Sequence, residues 1–71
     1  MNRDEKAMKK RRRFVTLALR NPIRASNILR TNARKLDQAK TIVEKVRILC
    51  DILYLSESTI YNDVNAYEED I

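Results

Sequence analysis

Leu55-Ser56-Glu57-Ser58-Thr59-Ile60-Tyr61-Asn62-Asp63-Val64 is the stretch on which the fold turns. Its first three residues read as a helix stop, a tight corner and a helix start. Ser56 is the expected N-cap, its hydroxyl placed to accept a backbone N–H two or three residues on. Glu57 then sets a carboxylate at the positive end of the new helix dipole. Upstream, V-R-I-L-C-D-I-L-Y-L (residues 46–55) has helical periodicity. Downstream, Ile60, Val64 and Tyr67 are spaced by four and three, which gives a helix over residues 57–69 one inward face. Tyr61, Asn62, Asn65 and Glu68 then lie mostly outward. Two helices joined by a turn of three to four residues, the second short and polar-faced, make a helix-turn-helix candidate.

Before this unit, Leu36, Ala39, Val43, Val46, Cys50 and Leu53 alternate at spacings of three and four, the seam of a helix packed along another. Thr41-Ile42-Val43-Glu44 has the form of a capping box, which would instead start a new helix there. One long helix and two shorter ones both fit. Ile42, Ile48, Leu49, Ile52 and Leu55 fall outside the seam, so this segment is apolar around most of its circumference. Such a helix is buried centrally or shared with a second subunit, and a dimer is expected.

The first half has one clear boundary, Asn21-Pro22. Pro disfavours helix at the residue before it and suits the first turn of a new one, with Asn21 as a good N-cap. A short helix over residues 22–30 follows, carrying Ile23, Ile28 and Leu29. Thr31-Asn32 is a weaker break. Ahead of Asn21, Phe14, Leu17 and Ala18, with Val15 and Leu19 beside them, form a helical apolar stripe that ends at Arg20. Residues 1–13 finish in Lys9, Lys10, Arg11, Arg12 and Arg13. Cations this dense repel, so these residues read as a disordered or frayed basic arm ahead of a helical domain over residues 14–71.

Composition narrows the class. Seventy-one residues with no Gly and one Pro point to one all-α domain, a small bundle of four to five helices. No His and one Cys leave no zinc site, and no Gly-rich phosphate loop or apolar carboxylate pair supports catalysis, so neither metal nor cofactor nor small-molecule substrate is expected. Cys50 reads as a small core residue in a reducing compartment. No apolar run reaches membrane-spanning length and no signal peptide is visible, so a cytoplasmic protein is expected, nucleoid-associated if bacterial or phage.

Charge is divided unevenly. Residues 1–35 hold 12 Lys or Arg against 2 acids, for +10, and residues 36–71 hold 3 against 8, for −5. A polyanion is the expected partner of the first half.

Residues 46–68 resemble the helix-turn-helix of bacterial DNA-binding regulators, most closely the DeoR-like and related winged-helix families. Those families typically show L-S-E-S-T-I, two variable residues, Asp, an aliphatic residue and later Glu. Here Leu55 to Ile60 repeat the first six, then come Tyr61-Asn62, Asp63-Val64 and Tyr67-Glu68. Cys50 stands where those families carry Ala, and Leu49, Leu53, Leu55, Ile60 and Val64 match the apolar positions that set the angle between the helices. The likeness covers about a third of the chain. It departs at Tyr54, where the families place a left-handed Gly, and in lacking the β-hairpin wing, which implies a wingless, helical version.

What the resemblance implies is sequence-specific binding of double-stranded DNA, in transcription regulation or as a phage or mobile-element factor. The helix after Ser56 carries no Lys or Arg and at least four acids. Base contact would therefore fall to Ser58, Thr59, Tyr61, Asn62 and Asn65, since Asn pairs with adenine and hydroxyls bond to several base edges. Phosphate contact would fall to Lys9, Lys10, Arg11, Arg12 and Arg13, with Arg20, Arg24, Arg30, Arg34 and Lys35 as flanking clamps. The alternative is a protein-interaction module whose acidic half docks a basic partner while the basic arm binds RNA or an acidic protein surface.

Overall fold

The computed structural model describes the backbone of residues 3–70 and the side chains of residues 3–68. The chain is all-α, with five helices and a 3₁₀ turn: α1 (Arg3–Arg20), the 3₁₀ turn (Pro22–Ala25), α2 (Ser26–Leu29), α3 (Thr31–Gln38), α4 (Ile42–Leu53) and α5 (Glu57–Asp70). There is no strand among the described residues. One core takes residues from every helix: Val15, Ala18 and Leu19 of α1, Leu29 of α2, Ala33 and Leu36 of α3, Val46 and Leu49 of α4, and Ile60 of α5, with Ala25 of the 3₁₀ turn.

The 18-residue helix α1 is the main departure from expectation. It continues through all five cations, so no boundary falls at residue 13, and the basic run is helix surface rather than a loose arm. Asp4 and Glu5 in its first turn suit the helix dipole. Arg11 and Arg12 are half-buried and Lys9, Lys10 and Arg13 exposed, so the run spreads around the helix instead of pointing one way. At the other end the N–H of Asn21 bonds to the carbonyl of Leu17 at 2.7 Å and closes the helix.

Asn21 makes no side-chain capping bond, contrary to expectation; its backbone carbonyl accepts from the N–H of Arg24 at 3.1 Å. Pro22 starts a 3₁₀ turn instead of an α-helix and is buried. The expected helix over residues 22–30 ends at Arg30, whose φ of 54° and ψ of −126° no helix accommodates. The carbonyl of Arg30 then accepts from the N–H of Ala33 at 3.1 Å, within the first turn of α3.

Residues 36–53 are two helices, not one. Ala39 leaves helical geometry at ψ 134° and Thr41 caps α4, its hydroxyl accepting from the Glu44 N–H at 3.2 Å. The Glu44 carboxylate reaches back to the Lys40 N–H at 3.2 Å, one residue beyond the usual reciprocal partner in a capping box. The seam is therefore split: Leu36 and Val46 are buried, while Val43, on the near side of the cap, is exposed. Ile42 is exposed too, so α4 is apolar without being central.

Candidate nucleic-acid interface

The corner between α4 and α5 is three residues long: Tyr54, Leu55 and Ser56. Tyr54 adopts the left-handed conformation, φ 56° and ψ 39°, with its side chain 93% exposed. A residue with a Cβ pays roughly 1–2 kcal/mol for that conformation. The chain therefore makes this left-handed corner without glycine. Leu55 is half-buried and packs against the core, which holds the corner down. Ser56 begins α5 as expected, with its Oγ accepting from the Thr59 N–H at 3.2 Å and its carbonyl accepting from the Ile60 N–H at 3.2 Å.

Helix α5 lies mainly against α1, with a smaller footing on α4. Ile60 and Asp63 are buried beneath it, with Val64 and Tyr67 half-buried. Ser58, Tyr61, Asn62 and Asn65 are exposed, so four of the five candidate base-reading residues share the outer face. Thr59 is the exception. It is half-buried, and its hydroxyl lies 2.8 Å from that of Ser56 in the N-cap cluster, so its polar atom is engaged in starting the helix.

The acids of α5 are where arginines of the other helices arrive. Asp63, 3% exposed, takes a two-pronged contact from Arg11 of α1: Nε donates to Oδ2 at 2.7 Å and Nη2 to Oδ1 at 3.0 Å. That fork geometry is the strong form of an Arg–carboxylate pair. It pushes the Arg11 guanidinium further above its usual pKa, chiefly through the hydrogen bond to Asp63, so the group stays charged. Glu68 pairs with Arg20 near the other end of α1, and Glu57 faces Arg47 of α4 at 3.7 Å, both pairs in solvent. Each of the three acids described on α5 thus has a guanidinium beside it. Cys50 packs half-buried against the core, and burial, then Glu57 and Asp51, push its thiol pKa up.

The candidate phosphate-binding cations separate into groups. Arg11 is committed to Asp63, which removes it from a free basic arm. Arg13, Arg20 and Arg24 line one cleft with Thr16, Leu17 and Tyr67, and Lys9, Arg12 and Arg13 line an adjoining one across Tyr67. Lys10 is exposed on α1. Arg30 and Arg34 flank a shallow hollow with Thr31, and Lys35 borders the α3–α4 cleft beside Asn32, Asp51 and the exposed Tyr54.

Arg47 is a further cation beside the interface, outside the basic first half to which the sequence points. The signal was available: Arg47 is one residue after the buried Val46, hence on the solvent side of α4, and its guanidinium lies beside the first turn of α5. Among the described residues no cluster of His, Cys, Asp and Glu forms a metal site, and no helix is long and apolar enough to cross a membrane. No protein-family model, curated protein or solved structure matches this chain.

Proposed function

We propose that this chain binds double-stranded DNA, with α4, the Tyr54 corner and α5 acting as a helix-turn-helix and the outer face of α5 reading base edges in the major groove. The observation that carries the reading is the corner. A left-handed residue on a three-residue turn, followed by a serine-capped helix with an exposed polar face, fits a helix-turn-helix and supports this reading, and here it is made with a tyrosine despite the steric penalty. Asn62 and Asn65 are suited to adenine, Ser58 to several base edges, and Tyr61 to stacking or apolar contact.

The acidity of α5 is the main objection to this reading, and the ion pairs answer it in part. With Asp63 buried against Arg11 and Glu57 beside Arg47, part of the negative charge of α5 is matched before the helix meets a duplex. The same pairing argues against an acidic half held ready for a basic partner. Phosphates would be held by Lys9, Lys10, Arg12, Arg13, Arg20, Arg24, Arg30, Arg34 and Lys35. Such contacts position the protein while α5 specifies the site.

The biological role that fits is transcription regulation, or a phage or mobile-element DNA transaction, in the cytoplasm or nucleoid. A dimer completes the reading, because paired helix-turn-helix units read two half-sites one turn of DNA apart. Exposed Ile23, Ile28, Ile42 and Val43 supply apolar surface for it. The test is titration onto random duplex DNA at two salt concentrations, with light scattering for the oligomeric state. Affinity should fall with salt, by a slope of roughly 0.9 per phosphate neutralised. Absence of binding at low salt would reject the reading.

A further inference from the structure

A cleft of about 410 Å³ opens where α1, the 3₁₀ turn and the far end of α5 meet, lined by Arg13, Thr16, Leu17, Arg20, Arg24 and Tyr67. Arg13 and Arg20 are seven residues apart, two turns of helix, and so share one side of α1. Arg24 comes from the 3₁₀ turn, anchored by buried Pro22 and Ala25. Three guanidiniums thus border one opening from two independent elements. Thr16 lies between the two arginines of α1 and is 2% exposed, yet its Oγ1 has no hydrogen-bond partner among the described residues. A hydroxyl taken from water and left unpaired destabilises the fold. A donor of that kind, set among cations, is matched by an oxyanion.

One anionic group already reaches the cleft. Glu68 of α5 pairs with Arg20 at its edge, and both side chains remain about half exposed. Glu68 follows Tyr61 and Asn65 at spacings of four and three on α5, so the cleft adjoins the face proposed to read bases.

We infer that this cleft binds a phosphate group, with Arg13, Arg20 and Arg24 holding its oxygens, Thr16 donating to one of them, and Glu68 as the internal anion that phosphate displaces from Arg20. The chemistry favours phosphate over carboxylate. Guanidinium forks match both, but the tetrahedral oxygens of a phosphate meet donors arriving from three directions, whereas the two oxygens of a carboxylate take theirs in one plane. The group belongs either to a nucleic-acid backbone or to a small phosphorylated molecule. A second cleft of about 200 Å³, lined by Lys9, Arg12, Arg13 and Tyr67, continues the positive rim for a ligand with more than one phosphate. The site itself does not rest on base reading by α5.

The test uses the full chain, isotope-labelled and titrated with inorganic phosphate against chloride at constant ionic strength while backbone resonances are followed. The expected result is a saturable shift confined to residues around Arg13–Arg24 and Tyr67–Glu68. Arg24→Ala, on an exposed side chain, should weaken binding by about tenfold, the loss of one charge-assisted contact. Glu68→Gln, which removes the competitor, should strengthen it by roughly threefold or more. No saturable shift, or an equal response in wild type, Arg24→Ala and Glu68→Gln, overturns the inference. A short duplex then distinguishes the sources. Reversal of the phosphate-induced shifts assigns the backbone, and duplex binding that leaves them in place assigns a small phosphorylated ligand. Failure with inorganic phosphate would leave the α5 reading standing, because that reading is tested by sequence preference.

Discussion

Among the described residues, two Arg–carboxylate pairs between helix α1 and α5 differ in almost everything but chemistry. At Arg11–Asp63 the carboxylate is 3% exposed and held by a two-pronged fork. At Arg20–Glu68 both partners stand half in solvent at the mouth of a cationic cleft. Asp63 has no route back to water once the helices pack, so Arg11 must be in place for the fold to close. Glu68 loses little by letting go of Arg20, because water and an incoming anion both compete for it. Burial separates a pair that positions α5 from a pair that is free to exchange. It also removes the Asp63 carboxylate from the outer face of α5.

The largest expected effect breaks the buried pair from the arginine side. Arg11→Ala strands the Asp63 carboxylate and should destabilise the protein by about 3 kcal/mol in urea unfolding, whereas Asp63→Ala should destabilise it by about 2, because the half-exposed guanidinium can re-solvate. Equal losses, or losses under about 0.5 kcal/mol, would mean that the fork does not fix the helices. Next in size is a change of opposite sign that involves no charge. Tyr54→Gly relieves the left-handed corner and should stabilise the protein by about 1 kcal/mol, independently of salt, which supplies a neutral control for the charge variants. The smallest effect is at the exposed pair. Glu68→Gln should change stability by less than about 0.5 kcal/mol, and near 1 M salt, where the screening length is about 3 Å, that difference should vanish. The Arg11–Asp63 coupling, measured by a double-mutant cycle, should persist in the same salt.

The legible parts of this molecule were those whose signals are local. Ser56 and Thr41 cap helices through bonds to residues three positions on, and both were readable from the sequence. Pro22 marked a true boundary, though the element it opens is a 3₁₀ turn. The outward set Ser58, Tyr61, Asn62 and Asn65 followed from the helical period once Ile60 was taken as inward.

What was not legible depended on partners distant in sequence or on backbone states the residue type does not advertise. Five adjacent cations argue for a loose arm until Arg11 is seen bound to a residue 52 positions away. The seam over residues 36–53 looked continuous because two helices on either side of a cap can keep three-and-four spacing by coincidence. The corners at Arg30 and Tyr54 take positive φ with no glycine to announce them. Arg47 escaped because its importance comes from where α5 begins.

We propose that the outer face of α5 specifies a DNA sequence while cations elsewhere hold the backbone. The most direct test is Asn62→Ala, an exposed position whose loss should leave the melting temperature unchanged. Sites selected from a random duplex pool are compared for wild type and variant at one salt concentration. Asn62→Ala is expected to lose about 1–3 kcal/mol of discrimination at one base position while its affinity for unselected DNA stays the same. An unchanged preference at every position would contradict it.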